Sequence, residues 1–196
     1  MMRDSIALDS TRLAALQQTP LWDFALTFYA RPGVEQACLT LQEAASIDVC
    51  ELLFHSWLYA HGLEALPVPL STLRQARREW QAGITEVLRG LRRDLKSTVN
   101  PSETVTTLRE RIKQAELLAE RENLQRWQTW AWDNDQSSAH LRNRRENPHD
   151  AGRWLQERLL LPQDETSPDC DTEATSAIQY AFAVLGQQLD PLQRAR

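Results

Sequence analysis

Residues 21–63 read LWDFALTFYARPGVEQACLTLQEAASIDVCELLFHSWLYAHGL, a block in which aromatic and aliphatic side chains crowd onto helical spacings with little charge between them. Apolar residues that recur every three or four positions predict helices, and no stretch alternates as a half-buried strand would. Proline and glycine punctuate the block. A helix over Leu21–Tyr29 ends before Arg31-Pro32-Gly33, and a second begins there with Val34, Ala37, Cys38 and Leu41 on one face. Asp48 is placed to cap a third, which Gly62 closes. Its Val49, Leu52, Leu53, Phe54, Trp57 and Leu58 cover most of the circumference, which predicts a central helix packed on several sides. Large aromatic side chains dominate core energetics, so this block reads as what holds the molecule together.

Outward from it, Ser71 follows the Pro67-Val68-Pro69 break and is placed to cap a long helix reaching about residue 97. Leu73, Trp80, Ile84, Val87, Leu91 and Leu95 form its expected core stripe. Asn100-Pro101-Ser102-Glu103 supplies a cap, a proline at the first helical position and an acid in the first turn for the next helix. That helix carries Val105, Leu108, Ile112, Ala115 and Ala119, then drifts toward Leu124, Trp127 and Trp130. The segment DNDQSSAHLRNRRENPHD, 133–150, is polar and poor in apolar anchors. A short helix over 151–161, the acidic stretch PQDETSPDCDTE at 162–173, and an amphipathic helix on Ile178, Phe182, Leu185 and Leu189 complete the chain. The expectation is an all-α fold: a compact bundle of about five helices in residues 1–132, a polar linker at 133–150, and a C-terminal extension of one or two helices at 151–196 containing the acidic linker 162–173. The last helix docks either on its own bundle or on a second copy, giving a homodimer.

A composition of 42% hydrophobic and 25% charged residues over 196 positions suits one sizeable core. The first twenty residues hold no apolar run of signal-peptide length, and no uncharged stretch is long enough for a membrane span, which predicts a cytoplasmic protein. Cys38, Cys50 and Cys170 are an odd number without metal or redox spacing and read as reduced thiols.

Chemistry is sparse. The glycines are too dispersed for a phosphate-cradling loop. The Glu-x-x-His pair Glu146 and His149 is interrupted by Pro148 and is rejected as a metal site. No metal or cofactor is expected, and no catalytic residue is assigned. Glu51 with His55, and Glu116 with Glu120, each share a helix face; an alternative reading is a small helical enzyme whose site lies between the helices at 48–62 and 101–132 and uses those four. Structural or solvated roles suit them better.

The net charge of −5 is unevenly spread. Lys and Arg number seven against three acids in residues 70–97, but three against eight in residues 1–69. On a helical wheel Arg74, Arg77, Arg78, Arg89, Arg92, Arg93 and Lys96 fall within an arc of about 160°, roughly 130° from the core stripe, in a band about 33 Å long. Such a band fits an anionic partner, either an acidic protein surface or nucleic acid. The expected role is that of a non-catalytic binding or adaptor protein. Pairing of these arginines with acids on neighbouring helices is the alternative.

The segments LWDFALTFYARPGVEQACLTLQE, IDVCELLFHSWL, EWQAGITEVLRGLRRDLK and AELLAERENL together resemble a family of small, uncharacterised, predominantly proteobacterial helical proteins, over about residues 20–125. The resemblance implies a cytoplasmic helical domain without an assigned activity. The family pattern has Asn at the position of Cys50 and usually Gly at that of Ser46.

Overall fold

The computed structural model describes residues 8–97, 102–133, 137–144, 151–160 and 172–190. It is predominantly helical, with one two-stranded sheet. Asp9 opens α1 (Ser10–Gln18), its carboxylate accepting from the Thr11 and Arg12 amides, at a place where the apolar periodicity alone gave no helix. The block at 21–63 then forms α2 (Leu21–Tyr29), α3 (Val34–Ala45) and α4 (Val49–Ala60). Gly33 turns the chain into α3 at φ 80, and Asp48 caps α4 by accepting from the Cys50 amide at 2.7 Å. Between them Ser46 ends α3 at φ 52, a left-handed conformation that costs an L residue more than it costs glycine.

Every residue from Cys50 to Tyr59 is buried, so α4 is the central helix. Phe54 packs against Trp127, the rings tilted by 31° with centroids 4.7 Å apart, and the Trp57 indole donates to the Thr19 carbonyl at 2.8 Å. Trp57 is thereby enclosed with its polar edge satisfied.

Beyond α4, β1 (Leu63–Ala65) pairs antiparallel with β2 (Leu141–Asn143), Glu64 facing Arg142. Three-residue strands are too short to show a period of two, which is why no strand was expected. β2 and α8 (Ser137–His140) both lie in the segment read as a polar linker; Leu141, 1% exposed, is its anchor.

The helix expected over 71–97 begins earlier, and it is not uniform. α5 (Pro67–Trp80) starts with Pro67 in its first turn, while the Ser71 hydroxyl donates to the Val68 carbonyl instead of capping. A π-helical turn (Gln81–Thr85) then leads into α6 (Glu86–Lys96). A π turn inserts one residue into the α repeat, which rotates everything after it by about 100°. The expected core stripe is thereby corrected: Ile84, Val87 and Leu91 are 41, 52 and 48% exposed, and the side of α6 facing the next helix carries Arg89 and Arg92.

α7 (Glu103–Trp132) is capped by Ser102, whose hydroxyl accepts from the Val105 amide at 3.3 Å; the expected cap Asn100 and Pro101 lie outside the described residues. It runs antiparallel along α6 and inserts Leu124, Trp127 and Ala131 beside α4. α9 (Ala151–Leu159) and α10 (Thr172–Leu189) pack on each other, and α10 also lies along α3. Phe182, Leu185 and Leu189 join the same core as α4, so the apolar face of this last helix is used within its own chain. The crossing of α9 and α10 is close: a Cβ at Gly152 would stand 2.3 Å from the Phe182 carbonyl oxygen. Cys170 and the acidic positions 162–171 lie outside the described residues.

Candidate binding groove

α2, α3 and the start of α4 form one side of a groove of about 1170 Å³; α5, the π turn, α6 and α7 form the other. Apolar side chains cover much of its inner surface: Trp22 and Leu26 from α2, Leu39 from α3, Leu53 from α4, Leu117 and Leu124 from α7. Leu159 and Leu160 close one end from the C-terminal region. Arg74, Arg78, Arg89, Arg92 and Arg93 line the α5–α6 side, opposite Glu35 and Glu43 of α3.

The seven cations of the expected stripe have three different fates. Arg89 bridges Glu86 at 2.6 Å, Glu116 at 3.1 Å and Glu120 at 3.0 Å. Arg92 donates to Glu116 at 2.5 Å, and Arg74 to Glu51 at 2.7 Å. Arg77 is turned inward and is 6% exposed, its Nε and Nη1 without hydrogen-bond partners; burial, then the Arg126 charge, lowers its pKa. Arg78, Arg93 and Lys96 are exposed. The band is therefore not the uninterrupted cationic surface that an unbroken α-helix would present.

Burial alone would raise the Glu116 carboxyl, but hydrogen bonds from Arg92 and Arg89 outweigh it and hold the pKa below the ordinary range. Glu120 goes the other way, because burial and the neighbouring Glu116 charge exceed what Arg89 returns. Glu51 is held low despite its burial, with Arg74 donating to its carboxylate. His55 is fully enclosed and lowered chiefly by burial; its Nε2 stands 3.6 Å from Glu51 Oε1, beyond hydrogen-bond length, and it does not line the groove. Of the four acid–base candidates Glu51, Glu116 and Glu120 line the groove and His55 does not; Glu51 is bound to Arg74, and Glu116 and Glu120 to the α6 arginines.

Two groove residues had no functional signal beyond their local roles. Asp48, read as a helix cap, has its pKa pushed up to about 6, by burial and then by Glu51, against the backbone bonds it accepts. The Cys50 thiol, read as a small core residue, is pushed well above its ordinary value by burial and Asp48, so it is not a thiolate at neutral pH. Among the described residues no three His, Cys, Asp or Glu side chains gather in metal-holding geometry, and no helix is long and apolar enough to cross a membrane.

Among known proteins, a family model described as a protein of unknown function (DUF2390) matches residues 20–127, more than half of the chain. No curated protein and no solved structure matches it. The matched residues run from the start of α2 into α7 and include all the arginines and acids of the network described above.

Proposed function

We propose, for a chain that belongs to the DUF2390 family of proteins of unknown function, a non-catalytic role: a binding or adaptor protein whose groove receives an acidic, amphipathic segment of a partner protein. The observation that carries this reading is the composition of the groove. Apolar side chains cover much of its inner surface among the paired acids and arginines, and Arg78 and Arg93 stand on its α5–α6 side exposed and outside the ion-pair network. An amphipathic helix lays its apolar face into such a groove and sets its acids against the flanking arginines. Protein is favoured over nucleic acid because Arg74, Arg89 and Arg92 already hold carboxylates, which leaves no continuous row of cations for a phosphate backbone. Binding is favoured over catalysis because Glu51, Glu116 and Glu120 are held by arginines and His55 is enclosed.

The test is a photo-cross-linking amino acid placed at Leu39 or Leu117 in the cell of origin, beside a control at Tyr180, which is exposed and away from the groove. A protein captured from both groove positions but not from Tyr180, and lost when Arg78→Glu and Arg93→Glu are added, supports the reading. Nuclease-sensitive capture moves the reading to nucleic acid. Equal capture from Tyr180, or capture indifferent to the two charge reversals, overturns it.

A further inference from the structure

Arg77 is a buried cation that no carboxylate bonds among the described residues. Two acids, Glu122 and Asp48, and a second cation, Arg126, lie within electrostatic reach of it. Glu122 is taken by Arg126 at 2.5 Å, and Asp48 accepts the Cys50 amide at 2.7 Å. Other polar side chains stand unsatisfied around the same place. Thr85 and Asn123 are fully buried and leave Oγ1, Oδ1 and Nδ2 without partners. Arg77, Gln81 and Thr85 follow one another turn by turn along α5 and the π turn, and α7 packs on both. The Arg92–Glu116 bond sets the antiparallel register, which puts Thr85 and Asn123 at about the same level. Asn123 lies beside the Cys50 thiol, itself within electrostatic reach of Arg77. Cys50 and Gln81 also line the groove, so the cluster sits directly beneath its floor.

We propose that Arg77, Thr85 and Asn123 form an oxyanion subsite, entered from the groove between Gln81 and Cys50, that takes a carboxylate or phosphate group. A charge buried without a partner is among the costliest arrangements a fold can hold, and an apolar side chain of similar volume avoids that cost. Water in such a cluster satisfies N–H groups but brings no compensating charge. An oxyanion does both: it accepts from the guanidinium through paired N–H groups, the Thr85 hydroxyl rotates to donate, and the Asn123 amide presents Nδ2. The place in the fold agrees, since a π turn inside a helix recurs at functional sites. The group belongs either to a free small anion or to an acidic side chain of a segment docked in the groove, and the chemistry of recognition is the same for both.

Thermal unfolding of the full chain tests this as inorganic phosphate or acetate replaces chloride at constant ionic strength. The wild-type midpoint rises by about 3–5 °C and the rise saturates, which separates binding from the unsaturating effect of excluded salts. Arg77→Met unfolds at or above the wild-type midpoint in chloride, because an unpaired buried charge is gone, and shows no saturating rise. Asn123→Asp supplies a carboxylate from within the chain and loses the response as well. Arg78→Gln with Arg93→Gln, on the exposed side of the groove, keeps it in full. An equal response in wild type and Arg77→Met, or no saturating response to either salt, overturns the proposal. The source of the group is read from cross-linking at Leu39 in the Arg77→Met chain: capture weakened by roughly tenfold assigns it to the docked segment, and unchanged capture assigns it to a free anion. The salt titration needs no partner protein, so its failure is distinct from a failure of groove docking.

Discussion

Arg89 of α6 and Glu116 of α7 are joined by an Nε–Oε1 hydrogen bond of 3.1 Å. The π turn makes the bond available. Without the rotation at Gln81–Thr85, the wheel drawn from the sequence turns Arg89 to solvent and an aliphatic stripe toward α7.

Glu116→Gln keeps the size of the side chain and removes the charge that Arg89 and Arg92 share. Denaturant unfolding should lose about 1–3 kcal/mol, in line with removing charged hydrogen-bond partners at a buried carboxylate. Amides of α6 should exchange faster in the variant. Unchanged exchange there would mean that the network does not hold α6 on α7.

The Asp48 carboxyl, raised to about 6 by burial, predicts a pH-dependent stability. Between pH about 4 and about 6 the folded chain holds this proton while the unfolded chain releases it, so stability falls as pH rises through that window and stays lower above it. Asp48→Asn keeps an effective cap. It should remove the fall, making the variant more stable than wild type by about 1–3 kcal/mol at pH 7.5 and nearly equal to it at pH 4. Parallel curves for the two proteins across this range would refute the assignment.

Ser46 sits at φ 52. Ser46→Gly should stabilise by about 0.5–1 kcal/mol, because glycine adopts this conformation without a Cβ penalty, and Ser46→Val should destabilise by more than that. Thermal unfolding of the two variants measures both, and equal midpoints would show that the turn relaxes freely.

Gly152→Ala should loosen the C-terminal helices, since the added Cβ meets backbone at 2.3 Å and not a movable side chain. Overpacking of this kind costs about 2–3 kcal/mol. Trp154 lies two residues away, 7% exposed, so its fluorescence reports the change directly. An unaltered spectrum with unaltered stability would mean the helices part at no cost.

Much of the core was legible because its signals are local. Asp48 before an apolar run and Pro32-Gly33 before another mark helix starts through backbone chemistry that a neighbour cannot change. The α6 face was not legible, because a wheel assumes a constant 3.6 residues per turn and a single inserted residue breaks that phase without any signature of its own. β2 was missed for another reason: Leu141 is one apolar residue among polar ones, and its burial depends on Leu63 and Ala65, far away in sequence. The groove is a long-range object as well. Arg78 was readable as a cation on the helix, but that Leu39 and Leu117 share a cavity with it depends on how α3 and α7 pack.

The pairing of α3 with α10 has a consequence for how the chain is made. α3 ends at Ala45, and its neighbour α10 begins at Thr172. At 5–20 residues per second a ribosome takes on the order of ten seconds to supply the missing helix. Through that interval the nascent chain carries an aliphatic surface with no native cover, so early termination or slow translation beyond α7 leaves a sticky intermediate for chaperones to hold.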